Sequence, residues 1–93
     1  MYSLPPVLTH QLATAAAASL RDAVRADAAS QVVADASALR EFDSSALAVL
    51  LEGRREALAA SKSFAVSGLP PRLRELAGLY GVATLIPEAG LAA

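Results

Sequence analysis

Few residues of this chain are equipped for chemistry. His10 is the only imidazole, cysteine is absent, and Asp22, Asp27 and Asp35 stand scattered, with no oxygen-rich loop around them. A general acid–base pair, a thiolate nucleophile or a dedicated metal site needs several such groups brought together. The expectation is therefore a protein that is not an enzyme and holds no metal or cofactor. The glycines of SGLPP and AGLYG do not match G-x-x-x-x-G-K-[ST] and read as turns, and His10 reads as a surface residue at a helix start.

One polar cluster stands out from this background. In REFDSSALAVLLEGRREALAAS, residues 40–61, Asp43, Ser44 and Ser45 stand in a row where an apolar run of helical period begins. Either Asp43 or Ser44 suffices to cap that helix, a contribution of about 1 kcal/mol, because one side-chain oxygen accepts from the free N–H groups of the first turn. The surplus admits a second reading. A hydroxyl displayed at the positive end of a helix is a contact or modification point on a rigid surface.

The elements that position this cluster follow from the pattern of the chain. At 93 residues it is long enough for one domain, residues 1–93, with one core. It is 55% hydrophobic but only 4% aromatic, and about a quarter of it is Ala, a composition suited to close helix packing. A net charge of −1 disfavours a nucleic-acid footprint and an anionic membrane surface. No apolar run approaches the roughly 18 residues of a membrane span, and MYSLPPVLTHQL lacks the basic head and apolar middle of a secretory signal. The expectation is a soluble cytoplasmic protein without direct membrane insertion.

After Pro5 and Pro6, the stripe Leu12, Ala16, Leu20 and Val24 predicts a helix starting near Thr9, with Arg21, Asp22, Arg25 and Asp27 on its solvated side. SQVVADAS predicts a strand. Ser44 to about Ser61 predicts a second helix with Leu47, Leu50, Leu51 and Leu58 on its buried face and Glu52, Arg54, Arg55 and Glu56 largely opposite. Ser63–Gly68 reads as a buried strand. LPPRLRELAGLYGV reads as a third helix that packs Leu73, Leu76, Leu79 and Tyr80 in the core, solvates Arg72 and Arg74, and stops at Gly81. ATLIPEAG closes the chain as a last short strand plus tail. The order (β)αβαβαβ implies an α/β layer structure with mostly parallel strands.

These segments resemble the STAS domain family, named for sulfate transporters and anti-sigma factor antagonists. The family pattern of Asp, then Ser or Thr, then a small pair and a Leu-rich helix is similar to residues 40–61, and QVVADASAL and SFAVSGLPP fall where the family places strands. LRELAGLYGVATLIPEA most resembles the small cytoplasmic STAS subunit of bacterial Mla-type phospholipid-transport ABC complexes. The resemblance implies a STAS-like fold: a small, mixed, mostly parallel sheet with helices, its first strand short or missing. It also implies a protein-interaction module peripheral to the inner membrane, whose partner is the ABC transporter ATPase subunit. The alternative branch is an anti-sigma factor antagonist whose partners are an anti-sigma factor and a serine kinase that phosphorylates Ser44. Both branches place the contact at Ser44, with Asp43 and Ser45 beside it. Leu47 then borders the surface, and Ala48, Glu52 and Arg55 are the neighbours a docked partner touches. Two departures carry expectations of their own. Ala46 stands where many members have Gly, so a methyl in the first turn is expected to hinder close approach. The little chain before YSLPPVL leaves the sheet with an incomplete edge that a second copy would cover as a homodimer.

Overall fold

The computed structural model describes residues 2–89. Its elements are β1 (Tyr2–Ser3), β2 (Val7–Leu8), α1 (His10–Ala26), β3 (Gln31–Asp35), β4 (Glu41–Phe42), α2 (Ser45–Ala59), β5 (Ser63–Ser67) and α3 (Pro71–Leu79), followed by a 3₁₀ turn at Ala83–Leu85. The strands form two parallel sheets, β1-β3-β5 and β2-β4. The α/β class, the three helices and the short first strand agree with the sequence expectation.

Parallel pairing requires a long return connection, and here α1 and α2 supply it. α1 carries the chain from β1 and β2 across to β3, and α2 carries it from β3 and β4 to β5. The two helices pack on each other, and α2 also covers β5. Ala16, Leu20 and Val24 of α1 meet Val49, Leu50 and Ala57 of α2 in one apolar core with Val32, Phe64 and Val66 of the sheet. Gly53 makes the close α1–α2 approach possible: a Cβ there would lie 2.5 Å from Leu20 Cδ2 and 3.2 Å from the Phe64 ring.

Five details differ from the sequence expectation, and each has a tertiary cause. Leu12 is 44% exposed because only the short β1 and β2 lie beneath the first turn of α1, so the buried stripe begins at Ala16. Leu58 is 53% exposed, because the last turn of α2 buries Ala57 instead. Leu79 and Tyr80 are 82% and 62% exposed, so α3 anchors itself through Leu73 and Ala77 with Leu76 half-buried. β4 is two residues long, too short for alternation to reveal it. ATLIPEAG forms the 3₁₀ turn and then one parallel bridge, in which the Val66 N–H donates to the Pro87 carbonyl at 2.8 Å and the Ala89 N–H donates to the Val66 carbonyl at 2.7 Å. Pro87 has no N–H to extend a ladder, and the tail beyond Ala89 lies outside the described residues.

Helix ends are finished by specific groups. At the end of α2, Ser61 takes a left-handed φ of 60° while the Lys62 N–H donates back to the Ala57 carbonyl at 2.8 Å. α3 ends in the same way, with Gly81 at φ 72° and the Val82 N–H donating to the Ala77 carbonyl at 2.9 Å. The Lys62 ammonium donates to the Val24 carbonyl at 2.8 Å and to the Asp27 carbonyl, which places a cation on the negative end of α1.

Candidate functional site

The polar cluster owes its position to the register of the small sheet. β2 and β4 pair in parallel with Leu8 opposite Phe42, and each strand runs directly into a helix. The residues just past the two strands are therefore neighbours, and so are the N-termini of α1 and α2. Asp43 occupies the junction. Its Oδ1 accepts from the Ser45 N–H at 2.8 Å and its Oδ2 accepts from the His10 N–H at 3.0 Å, so one carboxylate serves the first turns of both helices. These donors hold the Asp43 carboxyl below the usual carboxylate range, the His10 N–H contributing most and the Ser45 N–H next. Thr9 makes no side-chain cap and neither first turn contains an acidic residue, so Asp43 brings the negative charge that these helix ends favour.

Because Asp43 does the capping, Ser44 is left over. It occupies the N-cap position of α2 with helical backbone angles, its side chain makes no capping hydrogen bond, and it is exposed. Ser45 is half-buried. Of the two ways to read the triplet, the structure gives the cap to Asp43 and leaves the Ser44 hydroxyl facing solvent at the positive end of the helix.

The remaining predicted site residues divide by helix face. Ala48 and Arg55 are exposed and Glu52 is half-buried, and with Ser44 they follow a spacing of three and four along one side of α2. Leu47 is 3% exposed and packs in the core, so it does not border the surface. Ala46 is fully buried; its methyl points into the protein and does not obstruct a partner approaching Ser44, contrary to the sequence expectation.

Sequence reasoning missed the contribution of α1. Ala13, Thr14, Ala17 and Arg21 line a groove of about 360 Å³ whose other wall is Ala48, Val49 and Glu52. Arg21 Nη1 stands 3.7 Å from Glu52 Oε1, and Arg55 Nη1 stands 3.7 Å from Glu52 Oε2, so a charged group closes the groove about two to three turns along α2 from Ser44. The available signal was the run of small residues Ala15–Ala18, which marks a helix that packs closely but does not indicate against which neighbour. Arg72, at the start of α3, lies with its guanidinium 5.7 Å from the centre of the Phe42 ring, beside the same junction. Arg74 instead forms a two-bond pair with Glu88, at 2.7 and 2.6 Å.

Among the described residues no three His, Cys, Asp or Glu side chains gather as a metal site would require, and no helix is long and apolar enough to cross a membrane. A search of curated proteins returned no match. The family model described as "Mlab, STAS domain" matches residues 7–87, a span running from β2 through the Asp43 junction to the segment that bridges β5. The chain therefore belongs to the STAS domain family, a family of protein-interaction and regulatory modules.

Proposed function

We propose that this STAS domain is a non-enzymatic accessory subunit that docks on the cytoplasmic ATPase of an Mla-type phospholipid-transport ABC transporter. The observation that carries the reading is the Ser44 hydroxyl, exposed at a helix N-terminus and released from capping because Asp43 satisfies the amides around it. Ser44, Ala48, Glu52 and Arg55 on α2, with Thr14 and Arg21 on α1, form a face of small and charged groups around a shallow groove. Small side chains let a partner helix approach closely, and the Arg21–Glu52–Arg55 group gives it a charged reference point. The transporter branch draws support from the Mlab description of the matching family model and from the similarity of residues 73–89 to that subunit.

A second reading rests on the same exposed hydroxyl: an anti-sigma factor antagonist switched by phosphorylation of Ser44. A phosphate would bring about −1.5 to −2 charge beside Asp43, and a cost of about 3 kcal/mol at an interface lowers affinity roughly a hundredfold. A second copy along the outer edge of β1 is the homodimer compatible with either reading, checked by light scattering across a range of concentrations.

Co-expression with a neighbouring ABC ATPase tests the first reading, the expected result being a stable complex that Ser44→Asp weakens roughly a hundredfold while the domain stays folded. Unchanged affinity in Ser44→Asp rules out the surface. Phosphate transfer to Ser44 by a neighbouring serine kinase, without an ATPase complex, selects the second.

A further inference from the structure

We propose that Asp43 is the positioning residue of this face, the side chain through which the first turns of α1 and α2 are held in register and through which a change at Ser44 is passed to α1. The backbone offers little else at this point. β2 and β4 share only two rungs, Val7 with Glu41 and Leu8 with Phe42, and the backbone ladder stops there. Beyond it, and before α1 and α2 pack through Ala16, Leu20, Val49 and Leu50, the hydrogen-bonded link between the two segments is the Asp43 carboxylate, which joins His10 to Ser45 across more than thirty residues of sequence. Thr9 provides no side-chain cap, so among the described residues the acceptor for the first amide of α1, the His10 N–H, is the Asp43 carboxylate.

The geometry makes this link sensitive to Ser44. The two oxygens of Asp43 each accept from a different helix, so any group that draws the carboxylate toward one helix, or repels it, loosens the other. A negative group on Ser44 lies next to Asp43 in the chain and beside the Ser45 N–H that Asp43 Oδ1 holds. It repels the carboxylate and competes for that donor. Displacing the carboxylate releases the His10 N–H, and with it the first turn of the helix that carries Ala13, Thr14 and Ala17 into the groove. Asp43 thus acts on the groove through backbone amides and not by touching a partner. This role rests on the docking face proposed above, but its test needs no partner, so failure to form an ATPase complex and failure of the Asp43 link are separate results.

The test is residue-resolved amide hydrogen exchange on the free domain, for the unaltered chain, Asp43→Asn, Asp43→Ala, Ser44→Asp and the double variant Ser44→Asp/Asp43→Ala. Asp43→Ala is expected to accelerate exchange at both His10 and Ser45 roughly tenfold, the loss of one hydrogen bond at each. Asp43→Asn has a single accepting oxygen and is expected to protect one of the two amides only, a split that a general loss of stability does not produce. Ser44→Asp is expected to accelerate His10 when Asp43 is present and to add nothing when Asp43 is absent. His10 exchange that is unchanged in both Asp43 variants overturns the proposal, as does a Ser44→Asp effect on His10 of equal size with and without Asp43. If Asp43→Ala does not fold, the one-amide split in Asp43→Asn decides.

Discussion

The two ends of the α1–α2 layer solve the same problem with different residues. Where the helices begin, Asp43 satisfies an amide of each, and Ser44 remains exposed without capping anything. Where they end, Ser61 turns the chain through a left-handed φ, the Lys62 N–H closes α2, and the Lys62 ammonium closes α1. At the finishing end the Lys62 amide and ammonium are both spent on structure. At the starting end one hydroxyl is to spare, and that end is where the groove between the helices opens. The docking face proposed above lies at the end where capping is over-supplied.

The largest effect should come from forcing the two helices apart between their ends. Gly53→Val forces a side chain against Leu20 and Phe64 and is expected to destabilise the domain by about 3 kcal/mol, seen as a lower midpoint in urea. Lys62→Met breaks only the finishing end. It removes a charged donor from the α1 carbonyls and should cost about 1–2 kcal/mol, with fast amide exchange confined to the last turn of α1.

Acid breaks the starting end. The Asp43 pKa is lowered in the folded state, so the stability its ionised form contributes is present above its unfolded value of about 3.9 and is lost as pH falls through the lower folded value. Asp35 and Glu88 are lowered too, the first by the Ser37 N–H and the second by Arg74, so all three contribute to acid sensitivity. The informative quantity is the stability gap between the unaltered chain and Asp43→Ala. It should be wide at neutral pH and close below about pH 4; a gap that stays constant there would show that the carboxylate charge is not what caps the helices.

Smaller changes sharpen the contrast. Ser61→Gly relieves a left-handed serine and should stabilise by about 0.5–1 kcal/mol. Ser44→Ala should change stability by less than about 0.5 kcal/mol, because its side chain makes no cap bond. Equal costs for Ser44→Ala and a true capping substitution would restore Ser44 to a structural role.

Much of the framework was legible before any coordinates. Pro71 at the start of α3 and Gly81 at its end mark their own positions through backbone geometry. The spacing of Ala16, Leu20 and Val24 identified the buried face of α1. The site was legible in part: the triplet at residues 43–45 could be located, but not the division of labour within it. Leu47, read on the buried face but bordering the surface, and Ala46, read as hindering a partner, are both core, whereas Leu58, Leu79 and Tyr80 read as core and are exposed, because helical period gives the direction of a face but not how far the neighbouring layer extends beneath it.

The sequence by itself determined the helices, the two long strands, their order and the presence of a surplus hydroxyl, since each depends on residues within a few positions of one another. Only the tertiary structure decided which residue caps which helix. Asp43 reaches His10, and Lys62 reaches Val24, across more than thirty residues of chain. Such a bond forms because parallel strands place two helix ends side by side, and no local spacing records it.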